Sequence, residues 1–232
     1  MKIVITGASK GLGKAMAAQF ARYGHTLFLC SRGETALTQA TTALQKEYPA
    51  AQIHSKQADL STKAGVDHFT NWVLAGGVPD ILVNNAGQFI PGSIYNEAEG
   101  VLDKMLQQNL YSAYHLTRGL LPGMIQKGSG HIFNICSIAS LHAYNNGGSY
   151  GISKYALLGF NRNLREEMKP HGIKVTAVLP GAAYTASWEG AGIDPARIMT
   201  AEDIAIMVEA ASRLSPQACV EDIVLRPLLG DL

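Results

Sequence analysis

Short apolar runs alternate along the chain with longer stretches in which apolar residues recur every three or four positions. The first kind reads as buried strand and the second as amphipathic helix. Runs at Lys2–Thr6, His25–Ser31, Gln52–Ala58, Asp80–Val83, His131–Cys136, Ile173–Leu179 and Asp222–Arg226 predict seven strands. The spacing predicts helices over Lys14–Tyr23, Thr35–Tyr48, Lys63–Leu74, Glu97–Leu121, Ser149–Met168 and Thr200–Leu214. The helix from Glu97 is expected to stop before Pro122, because a proline pushes the residue before it out of helical conformation. Thr200-Ala201-Glu202-Asp203 has the form of a capping box. Regular alternation of strand and helix argues for parallel strands joined by helical crossovers. The expectation is an α/β fold: a doubly wound parallel sheet of about seven strands, in a single domain over residues 1–232.

The ends of these strands carry most of the chemistry-bearing residues. After the first strand comes Gly7-Ala8-Ser9-Lys10-Gly11-Leu12-Gly13. Glycines let the backbone bend sharply and approach a ligand closely. The helix start that follows offers free N–H groups and a positive dipole end to a phosphate. The second strand ends at Ser31-Arg32, where a dinucleotide fold meets the adenosine ribose. No acidic residue stands there to bond a free 2′-hydroxyl. Arg32 can grip a 2′-phosphate instead, with Lys10 as a second charge. The residues therefore favour NADP(H) over NAD(H). Asp59 can accept from an adenine amino group or serve as a helix-start residue near Ser61. Asn84-Asn85-Ala86-Gly87 closes the fourth strand with groups suited to a ligand crevice.

Ser137 follows the fifth strand, and Tyr150 and Lys154 lie four apart on one helix face. A hydroxyl, a phenol and an ammonium brought together suit protonation of a carbonyl oxygen. A cation beside a tyrosine favours the phenolate and makes the phenol a better proton donor. Ser137 can hold the same oxygen by a hydrogen bond. Asn109 lies inside a predicted helix, where asparagine is disfavoured. It is expected to hold a backbone bend or a bound water, or to be a tolerated polar residue.

Composition narrows the partners. The chain has 232 residues, 47% of them hydrophobic and 16% charged, with a formal net charge of +1. That balance gives no electrostatic reason to expect nucleic acid or an anionic membrane. Three cysteines without paired spacing and seven histidines without ligand-like spacing predict neither disulfide nor metal site. Met1 is followed at once by a strand, and no apolar run approaches membrane-spanning length. A soluble, cytoplasmic protein is expected.

These pieces together resemble the short-chain dehydrogenase/reductase family in its compact single-domain branch. The matching residues are Thr6 through Gly13, Asp59-Leu60, Asn84 through Gly87, Asn109, Ser137, Tyr150 to Lys154, and Pro180-Gly181 to Thr185. The resemblance implies a Rossmann-like fold and hydride transfer between NADP(H) and a small carbonyl or alcohol. It implies that Tyr150 protonates the carbonyl oxygen, Ser137 holds it, and Lys154 lowers the Tyr150 pKa and bonds the nicotinamide ribose. Asn109 would keep a water in a proton path to Lys154. Gly7, Ser9, Gly11, Leu12 and Gly13 would receive the pyrophosphate, and Lys10, Ser31 and Arg32 the 2′-phosphate. Asp59 and Leu60 would face the adenine, and Asn85, Ala86 and Gly87 the adenosine side. Pro180, Gly181 and Thr185 would border the nicotinamide end. Family members pair through two long helices, so a homodimer or homotetramer is implied.

Two regions depart from the family pattern. The segment between Thr185 and Thr200 is short, which suggests an open pocket lined by Leu141, His142, Tyr144, Tyr184 and Trp188, or else loop packing by those residues. The ending Arg226-Pro227-Leu228-Leu229-Gly230-Asp231-Leu232 is unlike the usual tail, which puts a tetramer contact there in doubt. The alternatives to an NADPH-dependent carbonyl reductase are an NAD-dependent alcohol dehydrogenase and a non-catalytic NADP(H)-binding regulator on the same fold.

Overall fold

The computed structural model describes residues 1–185 and 192–231. Its single parallel sheet contains β1 (Lys2–Thr6), β2 (Thr26–Ser31), β3 (Gln52–Gln57), β4 (Ile81–Asn84), β5 (Gly130–Ile135), β6 (Ile173–Pro180) and β7 (Asp222–Leu225). The strand order is β3-β2-β1-β4-β5-β6-β7. The chain winds outward from β1 to β3, then returns to place β4 against the other side of β1. Ile3 is accordingly in register with both Leu27 and Ile81. This reversal opens a crevice at the carboxyl ends of β1 and β4, the place where such sheets hold ligands.

The helices are α1 (Gly11–Ala21), α2 (Glu34–Glu47), α3 (Lys63–Ala75), α4 (Val101–Leu106), α5 (Ser112–Lys127), α6 (Gly148–Met168) and α7 (Ala201–Ser212). Successive strand residues point to opposite faces. Ile3, Ile5, Leu27 and Leu29 therefore pack with α1, α2 and α7. Val4, Phe28, Leu82 and Ile132 pack with α3, α5 and α6 on the other side. Strand β3, at the edge, is polar and half exposed.

Seven strands and the doubly wound order match the expectation, with ends shifted by a few residues. The exception is the long helix expected over Glu97–Leu121. It starts at Val101, because Gly100 takes a left-handed φ of 80° that no preceding turn can propagate. One wide π-type turn, Gln107–Tyr111, separates α4 from α5. Helix α5 then runs through Pro122 to Lys127 rather than stopping before it. Pro122 and Arg118, whose carbonyl loses its partner, both lie on the exposed face. Leu116, Leu120 and Met124 are fully buried on the opposite face and carry the helix past the break.

A row of buried amides joins the central strands to the helices above them. Asn84 donates to Thr117 Oγ1 at 2.9 Å and to Asn134 Oδ1 at 2.8 Å. Asn134 donates onward to Asn161 Oδ1 at 2.8 Å. The row ties β4, β5, α5 and α6 into one body. Asn134→Ala strips two buried groups of their partner and should lower the unfolding free energy by about 2–4 kcal/mol in urea titrations. A loss below about 0.5 kcal/mol would show that the row holds nothing together.

Candidate active site

The turn after β1 is shaped by what glycine alone permits. Gly7 and Gly11 have φ of 67° and 56°. A Cβ on Gly13 would overlap the Gly7 carbonyl oxygen and stand 2.6 Å from Asn85 Nδ2. The turn is fastened from below by Thr6. Its hydroxyl accepts from the N–H of Asn85 at 2.9 Å and of Ala86 at 2.8 Å. Asn85 returns the link by donating to Thr6 O at 2.8 Å. The start of α1 has no side-chain cap, which leaves its first N–H groups without a side-chain acceptor.

Above this turn lies a cleft of about 930 Å³. Gly7, Ser9, Lys10, Gly11 and Leu12 line one end, with Ser31 and Arg32 beside them. Among the described residues neither Lys10 nor Arg32 has a carboxylate partner. Leu60, Asn85, Ala86 and Gly87 line the floor, and Pro180, Gly181 and Thr185 the far end. Two of the cofactor-binding candidates stand apart from the wall. Gly13 lies beneath the turn, and Asp59 Oδ1 accepts instead from Ser61 N at 3.0 Å and Ser61 Oγ at 2.8 Å. These bonds are those of a turn residue ahead of the Thr62 cap of α3.

Ser137, Tyr150 and Lys154 converge on the middle of the cleft. Ser137 sits extended at the end of β5, in a reciprocal cap. Its Oγ accepts from Ala139 N at 3.1 Å, and its N–H donates to Ser140 Oγ at 3.3 Å. Lys154 is 7% exposed and donates to Ile135 O at 2.8 Å. Burial pushes its ammonium down to about 8. Burial raises the Tyr150 phenol above its usual value, and a hydrogen bond with Ser137 opposes that rise. The reading from sequence gave the opposing role to Lys154. Its Nζ lies 5.8 Å from the centre of the Tyr150 ring, and burial, the largest influence on the phenol, outweighs the lowering by Ser137, with Cys136 adding to the rise.

Asn109 does not line the cleft. It sits in the wide turn before α5, where its Oδ1 accepts from Gln88 N at 2.7 Å. Its Nδ2 donates to Gln88 O at 3.0 Å and Ser153 Oγ at 2.9 Å. Of the alternatives open in sequence, the geometry fits the backbone bend. A Cβ on Gly87 would lie 3.2 Å from Asn109 Oδ1 and 3.8 Å from Lys154 Nζ, so the bare backbone passes over both.

The outer wall holds His142 and Tyr144, as the sequence suggested, together with Phe89, whose ring meets that of Tyr150 edge-on at 4.8 Å. Leu141 packs instead into a small apolar cluster with Leu157 and Leu179. Tyr184 is outside the cleft lining, its backbone paired with Met199 O at 2.7 Å. Trp188 lies outside the described residues. Sequence reasoning missed Phe89, Arg226 and Asp231. The tail folds back so that Arg226 Nε donates to Asp231 Oδ2 at 2.8 Å, and both residues line the cleft beside Gly181. An Arg–Asp pair five apart in a loop was the available signal, but only the fold brings it to the cleft. Among the described residues no cluster could hold a metal, and no helix is long and apolar enough to cross a membrane.

The family model described as short chain dehydrogenase matches residues 1–195. A sepiapterin reductase from Chlorobaculum tepidum is 34% identical over 239 residues, covering 99% of this chain and 97% of that protein. An alcohol dehydrogenase from the archaeon Thermococcus sibiricus, solved with 5-hydroxy-NADP, superimposes with a TM-score of 0.89 at 26% identity, covering 98% of this chain and 96% of that one. L-sorbose reductase from Gluconobacter frateurii, solved with NADPH and L-sorbose, gives 0.89 at 27% identity over 97% and 94%.

The buried ammonium has a measurable consequence. Lys154 binds its proton less tightly folded, at about 8, than unfolded, at 10.5. Between those values the unfolded state holds more protons, so stability rises with pH; below about 8 the penalty is fully present. Lys154→Met removes it. The variant should melt above wild type at pH 7, and the gap should close as pH approaches 10. A gap constant in pH, measured by calorimetry, would mean that the ammonium is not destabilised.

Proposed function

The chain belongs to the short-chain dehydrogenase family, and on that premise we propose that it is an NADP(H)-dependent carbonyl reductase. The observation that carries this reading is the meeting of Ser137, Tyr150 and Lys154 in the cleft that the glycine turn opens. The cradle fits the cofactor: bare backbone at Gly7, Gly11 and Gly13, no side-chain cap at the start of α1, and two cations, Lys10 and Arg32, without a carboxylate partner among the described residues. The cations favour a 2′-phosphate over a free hydroxyl. Relatives solved with NADP or NADPH support the same choice.

When bound, the cofactor supplies the hydride. Tyr150 hands its proton to the carbonyl oxygen. The phenol is protonated at neutral pH, as a general acid for reduction requires, and Ser137 opposes the rise that burial causes. Ser137 donates to the same oxygen from a position fixed by its cap. Lys154, charged below about 8, stabilises the phenolate left behind and offers donors to a ribose. The aromatic wall of Phe89, Tyr144 and His142 suits an aromatic or medium-sized apolar carbonyl, and the sepiapterin reductase relative supports reduction as the direction. Exposed Tyr111, Tyr114, Ile152 and Tyr155, on the π-type turn, α5 and α6, support pairing of two copies. Light scattering that gives a monomer mass would remove that part. Three free cysteines, two of them buried, support a reducing, cytoplasmic setting.

Tyr150→Phe should cut kcat for ketone and aldehyde reduction by about a hundredfold or more while leaving NADPH binding intact. Equal inertness of wild type and variant across a broad carbonyl panel, with both binding NADPH, would point to a non-catalytic binder. Arg32→Ala should weaken NADPH by about tenfold or more, the scale of a lost charge-assisted bond, and spare NADH. Equal effects on both would favour the NAD-dependent alternative. The reduction rate should fall as pH rises through about 8, where Lys154 loses its charge.

A further inference from the structure

The segment that follows β4 has no regular structure between Asn85 and the start of α4, yet it is tied in turn to the π-type turn, to the loop before α6 and to the first turn of α6. Gln88 is clamped through both backbone groups by Asn109. Gly92 N donates to Asn146 O at 3.1 Å, and Ser93 Oγ to Asn146 Oδ1 at 2.7 Å. Asn146 takes a φ of 60°, a left-handed conformation that asparagine tolerates. Glu97 then reaches the first turn of α6, accepting from Ser149 N at 3.3 Å and from the Ser149 hydroxyl.

These tethers meet a need of the helix. Helix α6 opens on Gly147-Gly148, has no side-chain cap of its own and carries no acid in its first turn. Glu97 supplies both an acceptor and a negative charge there. The approach is close: a Cβ on Gly148 would overlap Gly92 O and stand 3.0 Å from Glu97 Oε2. Tyr150 follows Ser149 directly, so the segment is fixed relative to the phenol.

Phe89 is the side chain this frame presents. It lines the cleft, meets the Tyr150 ring edge-on with an interplanar angle of 79°, and remains 48% exposed. His142 and Tyr144 also line the cleft. A large ring held half-exposed beside the proton donor leaves apolar surface for the body of a substrate to cover. We infer that Phe89 selects carbonyl compounds carrying an aryl group, and that Glu97 is a positioning residue that holds the Phe89 wall against α6. The inference rests on the carbonyl-reductase reading and adds the substrate class to it.

The test compares phenylglyoxal with methylglyoxal, which share their dicarbonyl and differ by ring against methyl. Phe89→Ala should lower kcat/KM for phenylglyoxal by about tenfold, mainly through KM, and change methylglyoxal by less than about twofold. Phe89→Tyr should keep the wild-type ratio. Glu97→Ala should reduce the ratio like Phe89→Ala, Glu97→Gln should reduce it less, and the Phe89→Ala/Glu97→Ala double variant should lose no more than either single. Equal losses on both aldehydes, or an unchanged ratio in Glu97→Ala, would overturn the inference. Fluorescence-monitored binding of acetophenone in the presence of NADP+ separates the wall from the chemistry. Binding about tenfold weaker in Phe89→Ala supports the wall even if wild type reduces neither aldehyde, and equal binding overturns it.

Discussion

An ammonium held out of water at the carboxyl edge of the sheet sets the terms for everything near it. Among the described residues Lys154 has no carboxylate beside it, and one main-chain carbonyl, that of Ile135, receives one of its protons. A buried charge satisfied so sparingly is a cost, and its lowered pKa is that cost expressed in protons. The fold bears it because α6 is anchored elsewhere. Leu157, Leu158, Leu164 and Met168 bury the remaining turns of the same helix. The helix that must present the lysine is thus held by residues that take no part in the chemistry, and stability is given up at the one place where a charge is useful.

The same economy shapes the switch point of the sheet. The Thr6 hydroxyl accepts from two successive N–H groups, of Asn85 and Ala86, and so fixes the end of β4 to the end of β1. Asn85 spends its own amide on the Thr6 and Gly7 carbonyls. Asn85 therefore shapes the glycine turn as well as lining the cleft. Three glycines, one threonine and one asparagine thus lock the turn beside the cleft. Such preorganisation spares a bound ligand the cost of ordering its own site.

What could be read from sequence follows from how local each signal is. The strands, the glycine turn and the Tyr150–Lys154 spacing depend on residues a few positions apart, and each appears in the structure where expected. The continuation of α5 through Pro122 did not, because the proline rule is local while the burial that overrides it comes from Leu116, Leu120 and Met124 against the sheet. The role of Asn109 was ambiguous for the same reason: its partners, Gln88 and Ser153, lie 21 and 44 positions away. The cation expected to act on Tyr150 was correctly placed on the same helix. Spacing along a helix gives a shared face, but not the burial that here dominates the phenol. Phe89, Glu97 and the tail were invisible as site residues because their meaning depends wholly on what the fold sets opposite them.

Gly181 shows how two constraints can share one residue. The family resemblance places it at the nicotinamide end, where a bare backbone lets a ligand approach. In this chain a Cβ there would also crowd Asp231 Oδ1 at 2.5 Å and Pro227 Cδ at 3.2 Å, so the folded-back tail packs closely on the same position. The tail is held by Arg197, which donates to Gly230 O at 3.0 Å and Leu229 O at 3.3 Å, and by the Arg226–Asp231 pair. That pair is neutral overall. Among the described residues the cleft is electrically uneven: Lys10 and Arg32 have no carboxylate partner at one end, while Arg226 at the other is paired with Asp231. A ligand with phosphates concentrated at one end gains Coulomb attraction in only one orientation.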